Sequence, residues 1–273
     1  MVGRAVFLLS PKYRRCILEN AGRSGVIAPE GGVGRFARRN TEENGKGLIE
    51  LAWALVRPEQ VATRVRARHG WDCVERLRAA GRPIIFVTPH LGAFDVAGRY
   101  LWNQLPILAM YRPHKIRWID ALLREGRNQG AAPDGTNVAP ATVAGVRMVL
   151  KHLRRGGCTI LLPDQVPSMG DGEWVEFFGR PAYTMTLPAR LQEAAGAALV
   201  FCYARRLPRG EGFELYLREL QEPLSSDRRE AAQQVNRMIE RLIRECPEQY
   251  LGCYNRSQRP PTAPPPPAAQ GAR

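Results

Sequence analysis

His90 and Asp95, in the run HLGAFD, are the residues of this chain whose types and spacing best suit acid–base chemistry. A neutral imidazole takes a proton from a hydroxyl, and a nearby carboxylate fixes its tautomer and stabilises the imidazolium that forms. Positioned catalysis of this kind contributes roughly 10²- to 10⁴-fold. The loop holds no Ser or Cys nucleophile, so the activated hydroxyl would belong to a substrate. Taken alone, H-x4-D reads equally well as a loop-capping histidine followed by a helix-start carboxylate. Asp164, in LLPDQ, has two readings of the same kind: it binds substrate or caps the next loop.

The elements around these residues give them a setting. The run 83–88 (PIIFVT) is apolar and bounded by Gly81 and Pro89, which reads as a buried strand. Polar chemistry begins immediately after it, with Gly92 allowing a tight turn and a helix expected over 94–102. Loops at the carboxyl ends of strands are where open α/β sheets place their sites. Further strands are expected over 105–111, 158–162, 198–204 and 213–217, the last two antiparallel through a turn at Gly210. The strand over 158–162 also ends in a polar cluster, Pro163-Asp164-Gln165. Helices are expected over 34–69 with a break at Pro58, then over 60–80, 117–126, 141–154, 187–195 and 228–246, and a loop over 131–140. This succession implies an α/β fold with a mostly parallel central sheet flanked by helices.

Composition narrows the partners. The 273 residues are 44% hydrophobic, enough for a sizeable core, and the net charge of +14 is almost all arginine. Genomic base composition accounts for arginine richness as readily as function does. If the charge is functional it calls for an anionic partner: nucleic acid, lipid headgroups or an acidic carrier protein. No nucleic-acid motif and no basic groove interleaved with aromatics is visible, so nucleic acid is not expected. Cys16, Cys73, Cys158, Cys202, Cys246 and Cys253 form no CxxC pair and have no His at metal spacing. Reduced thiols, no metal and no cofactor are expected. No apolar run approaches the roughly 20 residues that span a bilayer.

Five motifs in fixed order carry a resemblance: HLGAFD (90–95), YRP (111–113), LLPDQ (161–165), FFGRPAYT (177–184) and PEQY (247–250) with Arg256 beyond it. Together they resemble the lipid A biosynthesis acyltransferases of lauroyl/myristoyl type, within the lysophospholipid acyltransferase superfamily. The resemblance implies a glycerolipid-acyltransferase-like α/β fold and transfer of a fatty acyl chain from acyl carrier protein, or CoA, to a hydroxyl of a lipid A precursor. It implies His90 as general base with Asp95 as its orienting partner, and it places Arg127 facing the substrate, although a helix-end charge is the plainer reading. Tyr111 and Arg112 either contact a phosphate or are strand-end residues. The implied location is the cytoplasmic face of the inner membrane, in peripheral contact with an anionic surface.

On this reading residues 1–32 are an N-terminal segment, 33–259 the acyltransferase domain and 260–273 a Pro/Ala-rich disordered tail. The family's hydrophobic anchor helix has no counterpart at the start, so either the start is truncated or the membrane is met peripherally. Gly252, Cys253, Tyr254 and Asn255 stand where relatives often carry Trp and His, which leaves the acceptor open. The alternatives are a lysophospholipid or other lipid acceptor, or an inactive membrane-associated scaffold.

Overall fold

The computed structural model describes residues 2–23, 32–111, 120, 137–167, 172–261 and 263–266. Its centre is built from β1 (Val65–His69), β2 (Ile84–Val87), β5 (Cys158–Leu161), β8 (Ala198–Arg206) and β9 (Phe213–Glu219). They form one sheet in the order β1-β9-β8-β2-β5. β2 runs parallel to β5 and β8, and β1 parallel to β9, while β8 and β9 are antiparallel. The expected architecture, a mostly parallel sheet flanked by helices, is what the chain adopts.

Both faces of the sheet are covered, and β2 shows how. All four of its residues are buried, and the pleat sends alternate side chains to opposite faces. Ile84 and Phe86 enter a core completed by α5 (Trp71–Ala79) and α6 (Phe94–Gln104). Ile85 and Val87 enter the other, completed by α7 (Val143–Leu153), α8 (Leu187–Ala195) and α9 (Arg228–Glu245). The buried stripe of α9, Ala231, Val235, Ile239 and Leu242, keeps helical spacing, and the Asp227 carboxylate caps its start by accepting from Glu230 N–H at 2.8 Å.

Three local expectations change. The helix expected over 60–80 is interrupted: a single turn, α4 (Val61–Arg64), leads into β1 before α5 begins. Val65-Arg66-Ala67-Arg68 alternates half-buried with exposed side chains, the pattern of an edge strand, and pairing with β9 outweighs helical propensity there. The strand expected over 105–111 is shorter. Only β3 (Ala109–Tyr111) forms a ladder, with β4 (Val138–Pro140) inside the stretch read as loop, while Ile107 makes an isolated bridge to Cys158. β6 (Gly172–Phe177) and β7 (Arg180–Met185) form an antiparallel hairpin that periodicity left unassigned. The helix expected over 117–126 lies outside the described residues except for Asp120.

Both ends of the chain pack onto this body. α1 (Val2–Leu9) and α2 (Pro11–Arg23) lie against α3 (Gly32–Val56). The Asn20 amide of α2 donates to the carbonyls of Gly252 at 2.9 Å and Tyr254 at 3.1 Å. The stretch expected to be a tail begins packed: Ala263 is buried with Trp174 and Tyr183, and the Trp174 indole donates to Pro264 O at 2.8 Å. Among the described residues no helix is long and apolar enough to cross a membrane. The six cysteines are free, and burial pushes the Cys158 thiol up to about 11 and those of Cys202 and Cys246 to about 12.

Candidate active site

β2 and β5 are parallel neighbours with Val87 opposite Leu161. His90 and Asp164 each follow three residues later, so the two strand ends deliver them side by side. His90 Nδ1 lies 2.8 Å from Asp164 Oδ1, and His90 N–H donates to Asp164 Oδ2 at 2.9 Å. An ionised carboxylate only accepts, so in the neutral ring Nδ1 carries the proton and Nε2 the lone pair. The Gln165 side-chain amide is 3.1 Å from that Nε2. The edge of the imidazole also packs on Phe94, with ring centroids 4.8 Å apart.

Burial pulls the His90 pKa down, but the Asp164 charge and hydrogen bond, with a further pull from Asp95, outweigh it and leave the value above the usual 6.5. Burial alone would raise the Asp164 carboxyl. His90 beside it, two hydrogen bonds from that residue and the Arg256 guanidinium hold it below its usual value instead. Tyr250 reaches the same carboxylate: desolvation first, then the Asp164 charge and a hydrogen bond to it, keep the phenol well above its ordinary value and therefore neutral. Arg256 is fixed by donating to Thr184 Oγ1 at 2.7 Å and to Tyr183 O, and it lies over the Phe177 ring.

The orienting partner that the resemblance implied, Asp95, is therefore not the carboxylate bonded to Nδ1. Asp95 occupies the first turn of α6 and lines the same cavity, where its charge is the weaker pull on the ring. Asp164 takes the position because the parallel register of β2 and β5 brings it there, and a local spacing such as H-x4-D carries no information about that register. Tyr111 is buried at the end of β3 and donates its hydroxyl to Asp120, while its neighbours Ala109 and Met110 line the cavity. Arg112 and Arg127 lie outside the described residues.

The loop that carries His90 is clamped from three elements. Gly92 N–H donates to Gln249 O at 3.0 Å, Ala93 N–H to Ala204 O at 2.8 Å, and Leu251 N–H to His90 O at 2.9 Å. Arg206, at the end of β8, donates to Gly92 O at 2.8 Å and to both oxygens of Glu50 on α3 at 2.7 Å. Gly92 has φ of +64°, and a Cβ there would lie 2.0 Å from Ala204 O. Gly92→Ala is thus expected to destabilise the protein by at least about 2 kcal/mol, from the φ strain together with a clash against backbone. Thermal or urea unfolding checks this, and a variant as stable as the parent would contradict the clamp.

In front of His90 Nε2 opens a cavity of about 530 Å³, within the range of small-molecule sites. Leu51, Leu55, Trp102, Met110, Ile160 and Leu187 supply apolar wall, and Thr88, Arg99 and Gln165 supply polar groups. No Ser or Cys is among its described lining residues. Gln165, Tyr250, Arg256 and Arg206 were not singled out as site residues by sequence reasoning. Gln165, Tyr250 and Arg256 were signalled only as members of the motifs LLPDQ and PEQY with Arg256 beyond it, and Arg206 by nothing, since an Arg-Arg pair closing an apolar strand reads as a solvated end.

The raised His90 pKa fixes the direction of the pH dependence. A His90 acting as base would work only when neutral, so activity would be present above its pKa and lost as pH falls through it. The acid limb of kcat/KM is expected to have a midpoint above 6.5. Asp164, held below its usual value of 3.8, stays ionised across that limb. A rate profile with its midpoint at or below the ordinary histidine value would contradict this electrostatic picture.

Comparison with known proteins bears on what such a site does. A family profile described as bacterial lipid A biosynthesis acyltransferase matches residues 34–257. A lipid A biosynthesis acyltransferase of Haemophilus influenzae is 28% identical over 188 residues, 67% of this chain and 56% of that protein. From Escherichia coli, a lipid A biosynthesis lauroyltransferase is 27% identical over 226 residues, covering 82% of this chain and 72% of the relative. A lipid A biosynthesis palmitoleoyltransferase from the same organism is 25% identical over 228 residues, covering 83% and 72%.

Proposed function

The chain belongs to the bacterial lipid A biosynthesis acyltransferase family, and from that premise we propose that it moves a fatty acyl chain from a carrier thioester to a hydroxyl of a lipid A precursor. The observation that carries this reading is the arrangement of one ring: His90 Nδ1 held by buried Asp164, Nε2 opening on a largely apolar cavity. Such a cavity suits an acyl chain, and a base in its wall suits a hydroxyl brought to the thioester carbon.

In the proposed reaction the acceptor hydroxyl gives its proton to His90 Nε2 as its oxygen attacks the thioester carbonyl. Asp164 stabilises the imidazolium formed. The tetrahedral oxyanion then collapses with cleavage of the C–S bond, and the departing thiolate takes the proton back from Nε2. The donor is acyl carrier protein, whose acidic surface complements the net charge of +14, with CoA as the other thioester carrier. The high thiol pKa values of Cys158, Cys202 and Cys246 weigh against a cysteine acyl-enzyme. The test is purified protein with an acyl carrier protein thioester and a lipid A precursor, read by mass spectrometry of the lipid. A gain of one acyl chain supports the reading, and an unchanged lipid contradicts it.

The same reading puts the protein peripherally on the cytoplasmic face of the inner membrane. Leu8, Leu9, Leu48 and Ile49 on the packed helices α1 and α3 are exposed, and the chain carries a net charge of +14. Each cation near an anionic surface contributes about 1 kcal/mol and is screened beyond a Debye length. Vesicle sedimentation is therefore expected to show binding to anionic vesicles that weakens with salt. Equal, salt-insensitive binding to neutral vesicles would point to an apolar anchor instead.

A further inference from the structure

Four consecutive backbone N–H groups of the His90 loop are already engaged. His90 N–H donates to Asp164 Oδ2, and those of Leu91, Gly92 and Ala93 to Pro89 O, Gln249 O and Ala204 O. The loop backbone therefore has no N–H at these positions to offer the oxyanion that forms when a thioester is attacked beside His90. The Thr88 hydroxyl, which also faces the cavity, donates to Pro89 O at 3.1 Å. Among the side-chain donors lining the cavity, Arg99, Trp102 and Gln165, it is the Gln165 amide that meets the His90 ring. It lies in the cavity wall, 3.1 Å from the Nε2 that takes the proton.

That position is also where a reacting hydroxyl must come. A general base accepts a proton from an oxygen within roughly 2.6–3.2 Å, and at this distance from Nε2 the structure has the Gln165 nitrogen. Because Nδ1 carries its proton toward Asp164, Nε2 is an acceptor, and it is the NH₂ end of the carboxamide that faces it. Nε2 has one lone pair, so an incoming hydroxyl displaces the amide, and a displaced NH₂ group keeps both of its protons available to a nearby oxygen.

Building on the acyl-transfer reading, we propose that Gln165 is a catalytic residue with two positions: at rest its carboxamide occupies the acceptor-hydroxyl site on His90 Nε2, and, once displaced by the acceptor, it donates a hydrogen bond to the thioester-derived oxyanion. The amide neither gains nor loses a proton in the cycle. The proton passes from acceptor oxygen to Nε2 and on to the leaving thiolate, while Gln165 stabilises the charge on the former carbonyl oxygen. A neutral amide suits both positions, since a cation there would oppose protonation of His90 and a carboxylate would repel the oxyanion.

Gln165→Leu keeps the volume and removes the donors, whereas Gln165→Glu keeps the reach and replaces the amide with an anion. With an acyl carrier protein thioester and a lipid A precursor, Gln165→Leu is expected to lose about 10²- to 10³-fold in kcat, the usual effect of removing one oxyanion donor, with little change in either KM. Gln165→Glu is expected to be as impaired, and its acid limb should move to higher pH because a negative charge now faces Nε2. His90→Ala is assayed in parallel. If His90→Ala is inactive while Gln165→Leu turns over within about threefold of the parent, the role of Gln165 is overturned and the acyl-transfer reading stands. If Gln165→Glu leaves the acid limb unmoved, the side chain does not face Nε2 and the proposal also fails. If His90→Ala retains parental turnover, the reading beneath it fails.

Discussion

Purified His90→Ala protein is expected to fold like the parent and to lose acyl transfer, by about 10⁴-fold or more, the upper end of what a positioned base contributes. In the proposed mechanism the ring is the proton acceptor, and the other described polar groups lining the cavity suit that role less well. Thr88 and Gln165 are not bases at neutral pH, Arg99 is a cation, and Asp95 carries a carboxylate, intrinsically a weaker base than an imidazole. The fold should survive because the loop is held by its backbone bonds to Gln249, Ala204 and Leu251 and by Arg206, none of which uses the imidazole. The substitution does leave the buried Asp164 carboxylate without its ring partner, so a modest stability loss, on the order of 1–3 kcal/mol, should accompany the loss of activity. Circular dichroism and thermal unfolding separate the two effects. An intact fold with parental turnover would show that the proton goes elsewhere.

Asp164→Asn should have the second-largest effect, on the order of 10³-fold in kcat. Asparagine fills the same space, but its amide can donate to Nδ1. It thereby favours the tautomer in which Nε2 carries the proton and cannot serve as base. Loss of the anion also lowers the His90 pKa, because the Asp164 charge and hydrogen bond are the main pulls that raise it against burial. The surviving activity should therefore show an acid limb displaced to lower pH. Asp95→Asn should move the limb in the same direction by less, since its charge is the weakest pull named for this ring. A larger displacement for Asp95→Asn than for Asp164→Asn would return the orienting role to Asp95.

The difference between these two carboxylates marks what the sequence makes visible. His90 stands out because an apolar run of strand length stops abruptly at it, and Asp95 because it is close by in the chain. Asp164 is 74 residues away, and its claim depends on β5 lying beside β2, a matter of sheet order. Sheet order is decided by which crossovers cover which face, and that is not encoded in any window of periodicity. The two strands do share a legible signature, four buried residues, all apolar but Thr159, followed by a polar cluster.

Local pairings were easier. The antiparallel pair β8 and β9 follows from two apolar runs joined by a short turn near Gly210. By contrast β1 was hidden by its arginines, because an edge strand with exposed Arg66 and Arg68 has the composition of a basic helix. Tyr250 and Arg256 reach Asp164 only because the segment after α9 returns across the His90 loop. Nothing short of the fold places them there.

Direct transfer by His90 is tested most closely in a single turnover with a labelled acyl carrier protein thioester, run with and without the lipid A precursor and followed by intact-mass analysis of the protein. The account predicts that the acyl group stays on its carrier when the acceptor is absent and moves to the lipid when it is present. No acyl adduct on the protein should appear in either case, and no transfer should occur with His90→Ala. A stable acyl-protein adduct formed from the donor alone, and competent to pass its chain to the lipid, would contradict it.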